Sequence, residues 1–295
     1  MDVTETVLIF GRNGQVAQEL AHLQQTSDLT LQFAGRERCD LMTTDPKGLI
    51  EAVQPIGVIN ASAYTAVDRA ETEPDAAYRL NRDAVGEMAR ACAAADIPFV
   101  HISTDYVFDG TKAEPYVETD LRNPLSVYGA SKASGEDAVE AAGGSWTIFR
   151  TAWVFSPFGA NFIKTMRRFA TERPDMAVVA DQHGRPTLAK DIAVLCQSAV
   201  TRSINGDASL QGLYHLAGAD DAVWADIAER VFEERERCIG KRPVLNRILT
   251  ADFPTAAKRP SNSRLETAKL QHSIGWSPRP WRETVDICLA ALAAT

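Results

Sequence analysis

The most chemically suggestive spacing in the chain is Tyr128-Gly129-Ala130-Ser131-Lys132, because among six tyrosines only this one has a lysine four residues later. On a helix, residues four apart share one face. A tyrosine with its ordinary pKa of about 10 is a poor acid–base group at neutral pH, but an adjacent ammonium stabilises the phenolate and lowers that value. Such a pair can give a proton to a substrate oxygen while a hydride reaches the carbon, which is carbonyl reduction. Taken alone, the pair also fits an ordinary exposed helix face.

Its company favours chemistry. Phe99-Val100-His101-Ile102-Ser103-Thr104 reads as a strand running into Asp105-Tyr106-Val107-Phe108. Thr104 then stands at the carboxyl end of a parallel strand, where such sheets bind ligands, and its hydroxyl is a second donor to a carbonyl. Ser103 faces the other side and serves packing. Another strand ends in Asn60-Ala61-Ser62-Ala63-Tyr64-Thr65, small enough at first for a cofactor to lie against the backbone. Gly11-Arg12-Asn13-Gly14-Gln15-Val16-Ala17 lies between a strand and a helix. Glycines there let the backbone approach a pyrophosphate, which the helix N-terminus meets with its N–H groups. A tight turn without a ligand is the plainer alternative. Dinucleotide folds that favour NADH usually carry an acidic residue after the second strand, whereas this chain has Ala34-Gly35-Arg36. Arg36 suits a 2′-phosphate and favours NADPH, with Arg38 competing and a solvated surface arginine as the plain reading.

These residues need a frame that brings strand ends together. Apolar runs at 7–10, 30–34, 57–61 and 98–103 read as strands, and 14–23, 46–53, 76–95 and 125–142 as helices. Strands alternating with helices imply a doubly wound, Rossmann-type α/β parallel sheet covered on both faces. Residues 1–152 form this dinucleotide-binding part. The remainder, 153–295, is rich in prolines between shorter elements and reads as a smaller, interleaved substrate domain. Strands at 176–180 and 244–249 suggest that the chain returns to the first sheet around 176–205 and 244–250.

The 295 residues suit one large or two modest domains. With 31 Lys plus Arg against 39 Asp plus Glu, the net charge of −8 argues against a nucleic-acid or anionic-membrane binder. An anionic ligand must therefore be met locally, by Arg36, Lys132 and Arg259 or Arg264. Five cysteines and five histidines are scattered without CxxC or HExxH spacing, so no disulfide framework or catalytic metal is expected, and a reducing cytoplasm fits. Met1-Asp2-Val3-Thr4-Glu5 lacks the basic start of a signal peptide. The apolar tail 287–295 is far short of the roughly 20 residues that span a bilayer and reads as a closing helix.

In this order, Gly11-x-x-Gly14, Thr104-Asp105-Tyr106-Val107-Phe108 and Tyr128-x-x-x-Lys132 resemble the extended short-chain dehydrogenase/reductases. Further segments narrow the likeness: residues 60–68, 148–154, Asp181-Gln182-His183-Gly184-Arg185-Pro186-Thr187 and Arg259-Pro260-Ser261-Asn262-Ser263-Arg264-Leu265 are similar to those of the dTDP-4-dehydrorhamnose reductases. The resemblance spans residues 7–265. It implies reduction of the 4-keto group of dTDP-4-dehydro-L-rhamnose with NADPH or NADH. Under it Tyr128 is the proton donor, Lys132 lowers its pKa and binds the nicotinamide ribose, and Thr104 polarises the keto oxygen. Thr104, Asp105 and Trp153 line the sugar pocket, although Trp153 alone would pass for a buried aromatic. Gly14, Gln15 and Val16 match the pyrophosphate loop, Asp40 and Leu41 the adenine side, and Ala63, Tyr64 and Thr65 the strand end beside the ribose. Some relatives are dimers bridged by magnesium through glutamates. Glu19 sits at one such position, but Ala189-Lys190-Asp191 carries lysine where another glutamate is expected, which speaks against the metal and leaves a homodimer open.

Two other readings remain at this point. One is a non-catalytic NADP-binding protein similar to the regulatory subunit of methionine adenosyltransferase, and the other a different nucleotide-sugar ketoreductase or an epimerase.

Overall fold

The run Val7-Leu8-Ile9-Phe10 has no solvent exposure on either face, as expected of a central strand in a sheet covered on both sides. Val7 and Ile9 enter one hydrophobic core, and Leu8 and Phe10 enter another across the sheet. In a computed structural model that describes residues 6–24 and 29–294, this strand is β1 (Thr6–Phe10). The sheet continues with β2 (Thr30–Ala34), β3 (Gly57–Asn60), β4 (Phe99–Thr104) and β5 (Trp146–Thr151). Helices α1 (Gln15–Leu23), α2 (Lys47–Val53), α3 (Val67–Ala70), α4 (Pro74–Tyr78), α5 (Ala84–Ala94) and α6 (Val127–Ala142) connect these strands.

The second half holds the short strands β6 (Val154–Phe155), β7 (Asp175–Val179), β8 (His183–Gly184) and β9 (Thr187–Leu188), with α7 (Phe162–Glu172) and α8 (Ala189–Ile204). Then come β10 (Gly212–His215), β11 (Ala222–Val223), α9 (Trp224–Ile239), β12 (Val244–Ile248), β13 (Asn262–Ser263), α10 (Ala268–Ile274) and α11 (Trp281–Ala293).

The main sheet has six strands, all parallel, in the order β10-β5-β4-β3-β1-β2. From β1 the chain first adds β2 on one side and then β3 on the other. Ligands bind at the carboxyl ends beside such a reversal. Helices α1 and α8 cover one face through Leu20, Ile192 and Cys196, while α5 and α6 cover the other through Met88, Cys92 and Val139. A third core joins α7, α9 and α11 through Met166, Phe232 and Leu289.

The expected return of 176–180 and 244–249 to the first sheet is not what forms. Those strands, β7 and β12, pair with each other in a separate two-stranded sheet, and β10 takes the open edge beside β5. The reason lies in their faces. In β7 buried and exposed residues alternate, and β12 has no buried residue, so neither suits a sheet covered on both sides. Helix α8 does return, packing on the first core. The Met1–Glu5 stretch read for an export signal lies outside the described residues, as does Thr295 at the end of the expected closing helix. Among the described residues no helix is long and apolar enough to cross a membrane.

The single helix expected over 76–95 is interrupted by a π-helical turn at Arg79–Asp83. Its extra residue turns Asn81 inward, fully buried, where the amide accepts from the Tyr64 backbone N–H and donates to the Tyr64 carbonyl and the Ser131 hydroxyl. Helix α6 docks on this bulge at Gly135, where an added Cβ would lie 2.0 Å from the Asn81 carbonyl oxygen. Gly135→Ala, which in a free helix stabilises by about 1 kcal/mol, should here cost roughly 1–3 kcal/mol through overpacking. Urea denaturation measures the sign, and a variant as stable as wild type would show that the contact yields.

Candidate active site

Gly11 ends β1 at φ +107°, and a Cβ there would stand 2.9 Å from the Ala61 carbonyl oxygen. The turns after β1 and β3 thus pass too closely for a side chain between them. Helix α1 starts at once, and its N-cap, Gly14, supplies no side-chain acceptor. The first-turn N–H groups are left for an outside acceptor, as anion-binding helices require. They open onto a cleft of about 400 Å³ at the carboxyl edge of the main sheet.

Ser126 caps α6 by accepting from the Gly129 N–H at 3.1 Å. The helix therefore begins just before Tyr128, which stands on the cleft wall with Lys132 one turn deeper. Tyr106 meets the Tyr128 ring edge-on with centroids 5.5 Å apart. Burial pushes the Tyr128 phenol up to about 12, with the Thr104 hydroxyl drawing it down and Asp105 adding a smaller upward push. Lys132 turns its Nζ to other partners. Its ammonium position is instead at the inner wall, 3.1 Å from His101 Nε2 and 2.5 Å from the Ile102 carbonyl oxygen, and burial lowers its pKa to about 8 against the pull of Glu136.

Thr104, from the end of β4, accepts from the Tyr106 N–H and donates to Asp105 Oδ1 at 3.0 Å. Asp105 is 3% exposed, and its Oδ2 has no hydrogen-bond partner. Thr151 Oγ1, at the end of β5 and 5% exposed, is likewise without one. Both residues line the cleft, so two buried polar atoms await partners from a ligand.

The structure brings Gly14, Gln15, Val16, Ala63, Thr65, Thr104, Asp105, Tyr128, Lys132 and Trp153 into one cleft. Gly11, Arg36, Asp40, Leu41 and Tyr64 lie outside its lining. Tyr64 turns its hydroxyl to Glu73 at 2.6 Å, Leu41 is buried in the core behind the sheet, and Asp40 accepts from the Met42 N–H in its own turn. Arg36 is exposed on the loop after β2 and forms no ion pair among the described residues, while Arg12 holds the neighbouring Glu37 at 2.9 Å. Trp153 is not a buried aromatic. It sits half-exposed at φ +50° and stacks on Trp224 with centroids 3.8 Å apart.

Beyond this stack lies a second, more apolar cavity of about 730 Å³, lined by Phe162, Phe169, Trp224, Phe253 and the cations Arg173 and Arg259. Arg259 reaches Asp68 at 2.7 Å and so ties the C-terminal part to α3, whereas Arg264 pairs with Asp221. Trp224 escaped sequence reasoning because it belongs to no spaced motif, and Thr151, although inside the 148–154 segment, carries no spacing that marks it for a role. Glu19 is 4% exposed and accepts from Ser156 at 2.6 Å inside the chain. Among the described residues no group of three or more His, Cys, Asp or Glu stands together as a metal site.

The close approach permitted by Gly11, the uncapped start of α1 and the small strand ends fit a dinucleotide pyrophosphate. The unpartnered Asp105 and Thr151 atoms fit a hydroxyl-bearing molecule beside it.

Asp105 offers a test. Burial raises its carboxyl to about 6, against the pull of the Ser263 and Thr104 hydroxyls. A raised carboxylate pKa means that the folded state holds its proton longer than the unfolded chain, so this contribution to stability is present at low pH and is lost as pH rises through about 6. Asp105→Asn should therefore gain stability relative to wild type as pH climbs from about 4 to about 6. Paired denaturation curves across that range check it, and a constant difference would refute it.

The RmlD substrate binding domain family model matches residues 5–294. A dTDP-4-dehydrorhamnose reductase of Sinorhizobium fredii is 42% identical over 279 residues, covering 94% of each chain, and one of Escherichia coli K12 is 38% identical with 98% of each covered. Among solved structures, a dTDP-4-dehydrorhamnose reductase of Clostridium acetobutylicum superposes with TM-score 0.90 at 32% identity, covering 98% of this chain and 99% of that one. The Bacillus anthracis enzyme, solved in complex with NADP, gives 0.89 at 30% identity, covering 98% and 100%. The chain belongs to the dTDP-4-dehydrorhamnose reductase family, a family of oxidoreductases.

Proposed function

We propose that the protein reduces the 4-keto group of dTDP-4-dehydro-L-rhamnose to give dTDP-L-rhamnose, using NADPH in preference to NADH. The observation that carries this reading is the convergence of Thr104, Tyr128 and Lys132 in one cleft with the uncapped start of α1. The turn of Gly11, Gly14, Gln15 and Val16 would hold the pyrophosphate, Ala63, Thr65 and Lys132 the ribose on the nicotinamide side, and Asp40 and Leu41 the adenine side through their backbone. When bound, the nicotinamide supplies the hydride that reaches the keto carbon.

Tyr128 gives its proton to the oxygen. A phenol at about 12 is fully protonated at neutral pH, which suits a donor to an alkoxide. Thr104, by turning its hydroxyl hydrogen away from Asp105 Oδ1, donates a second hydrogen bond to the same oxygen. Asp105 Oδ2 and Thr151 Oγ1 take the neighbouring sugar hydroxyls, and the Trp153 ring covers a face of the sugar. The apolar cavity past Trp224 takes the nucleotide end, with Arg173 and Arg259 as local cations against an overall charge of −8. Residues 1–152 thus chiefly serve the dinucleotide, and the later chain chiefly the sugar nucleotide.

Tyr128→Phe should lower kcat by about 100-fold or more while leaving NADPH binding intact. Loss of cofactor absorbance with dTDP-4-dehydro-L-rhamnose measures turnover, and fluorescence titration measures binding. Unchanged turnover overturns the assignment. Arg36→Ala should raise KM for NADPH about tenfold and leave that for NADH unchanged. Equal effects on both cofactors would remove Arg36 from the 2′-phosphate.

A further inference from the structure

Behind Lys132 lies a pair of buried side chains that the proposed reduction does not use. Asn60 and His101 are register partners on adjacent strands β3 and β4, 1% and 0% exposed. The orientation of the Asn60 amide is fixed, because its Oδ1 accepts from the Ser62 N–H at 3.0 Å and from the Ser62 hydroxyl at 2.6 Å. A backbone N–H can only donate, so the oxygen must face Ser62 and the NH₂ must face His101 Nδ1, 3.1 Å away.

An NH₂ also only donates, so Nδ1 must be the bare, accepting nitrogen. The imidazole proton then sits on Nε2. That Nε2–H points at Lys132 Nζ across 3.1 Å, and it needs a lone pair there. An ammonium has none, whereas a neutral amine has one and still keeps a hydrogen for the Ile102 carbonyl oxygen at 2.5 Å.

We propose that His101, its tautomer fixed by Asn60, is a positioning residue that holds Lys132 as the neutral amine on the inner wall, and that the lysine takes up a proton from solvent when it turns into the cleft. This rests on the reading of Lys132 as a residue of the reductive site. The balance is simple: the amine gains one proton from water or buffer, and His101 stays neutral throughout. Doubly protonated His101 does not arise: burial alone holds its pKa well down while the lysine is neutral, and the ammonium adds to that once the proton is taken up. The remaining charged groups are Glu136 one turn further along α6, which favours the ammonium and is itself paired with Arg150 and Arg122, and Asp105 and Tyr128 on the cleft side. Burial brings the amine to about 8, so the neutral form is reached at mildly alkaline pH.

The consequence is a linkage between cofactor affinity and proton uptake. A ligand that engages the ammonium, as a ribose diol does by accepting its hydrogen bonds, binds with uptake of up to one proton where the free protein holds the amine neutral. Its affinity then weakens by up to about tenfold per pH unit above the amine pKa.

The full-length protein labelled with ¹⁵N-histidine tests the starting state at about pH 8.5. The His101 signals, identified by their loss in His101→Gln, should show the Nε2–H tautomer. Calorimetric titration with NADPH in two buffers of different ionisation enthalpy should show proton uptake. Asn60→Asp places a carboxylate oxygen where the NH₂ stood, which draws the proton to Nδ1; its tautomer should switch, and uptake should vanish. An Nδ1–H tautomer in the wild-type protein, or NADPH binding without uptake, overturns the proposal, and the uptake measurement needs no variant to fold. Turnover of the keto sugar accompanied by the Nδ1–H tautomer removes this inference and leaves the proposed function standing. Uptake with the Nε2–H tautomer in a protein that reduces no thymidine-linked keto sugar does the reverse.

Discussion

The architecture of the cleft depends on one buried ion pair. Glu136, 1% exposed on α6, accepts from Arg150 Nε at 2.9 Å and from its terminal NH₂ at 2.7 Å, and Arg150 is 3% exposed on β5. The Ser103 hydroxyl of β4 also donates to Glu136, and Arg122 reaches it from the loop before α6. Removing a partner would strand a charge in the interior, which typically costs 3–5 kcal/mol, roughly a third or more of a small domain's stability. The pair thus fixes the helix that carries Tyr128 and Lys132 against the two strands that carry Thr104 and Thr151. It also puts a negative charge one turn from Lys132, which opposes the cost of burying that side chain as the ammonium.

The same helix is held from its other side by shape. Gly135 sits over the Asn81 carbonyl of the π turn, and Ser131 receives the Asn81 amide. Asn81 in turn holds both backbone groups of Tyr64, the residue between Ala63 and Thr65 at the cleft's edge. A perturbation of the π turn therefore reaches the β3 strand end and the helix that carries Tyr128 and Lys132 together. Electrostatics on one side and close packing on the other leave α6 little freedom, which is what the role proposed for Tyr128 requires.

The cleft combines two kinds of wall. Its sheet side is polar and preorganised, with hydroxyls and a carboxyl whose lone pairs are not all spent inside the protein. Its far side is aromatic, where Trp153 and Trp224 stack and lead into the apolar cavity under Phe253. Trp153 holds a backbone conformation uncommon for a bulky residue, at the point where the chain leaves the main sheet. That position lets a single side chain belong to both halves of the molecule.

Much of this was legible in the sequence. The continuous apolar run of β1, the glycine turn after it and the alternation of strands and helices determined a parallel sheet, since strands buried on both faces need crossover connections. The i, i+4 spacing placed Tyr128 and Lys132 on one helical face, and Thr104 at a strand end, because both follow from local periodicity. What local pattern does not carry is which distant groups meet. Whether β7 and β12 join the main sheet depended on the one-sided burial of both strands and on β10 taking the edge. The direction of Lys132 toward His101, the inward turn of Asn81, and the stacking of Trp153 on Trp224 are contacts between residues 31 to 71 positions apart. Only the packed chain decides these, because they are fixed by burial and by donors finding acceptors across the fold.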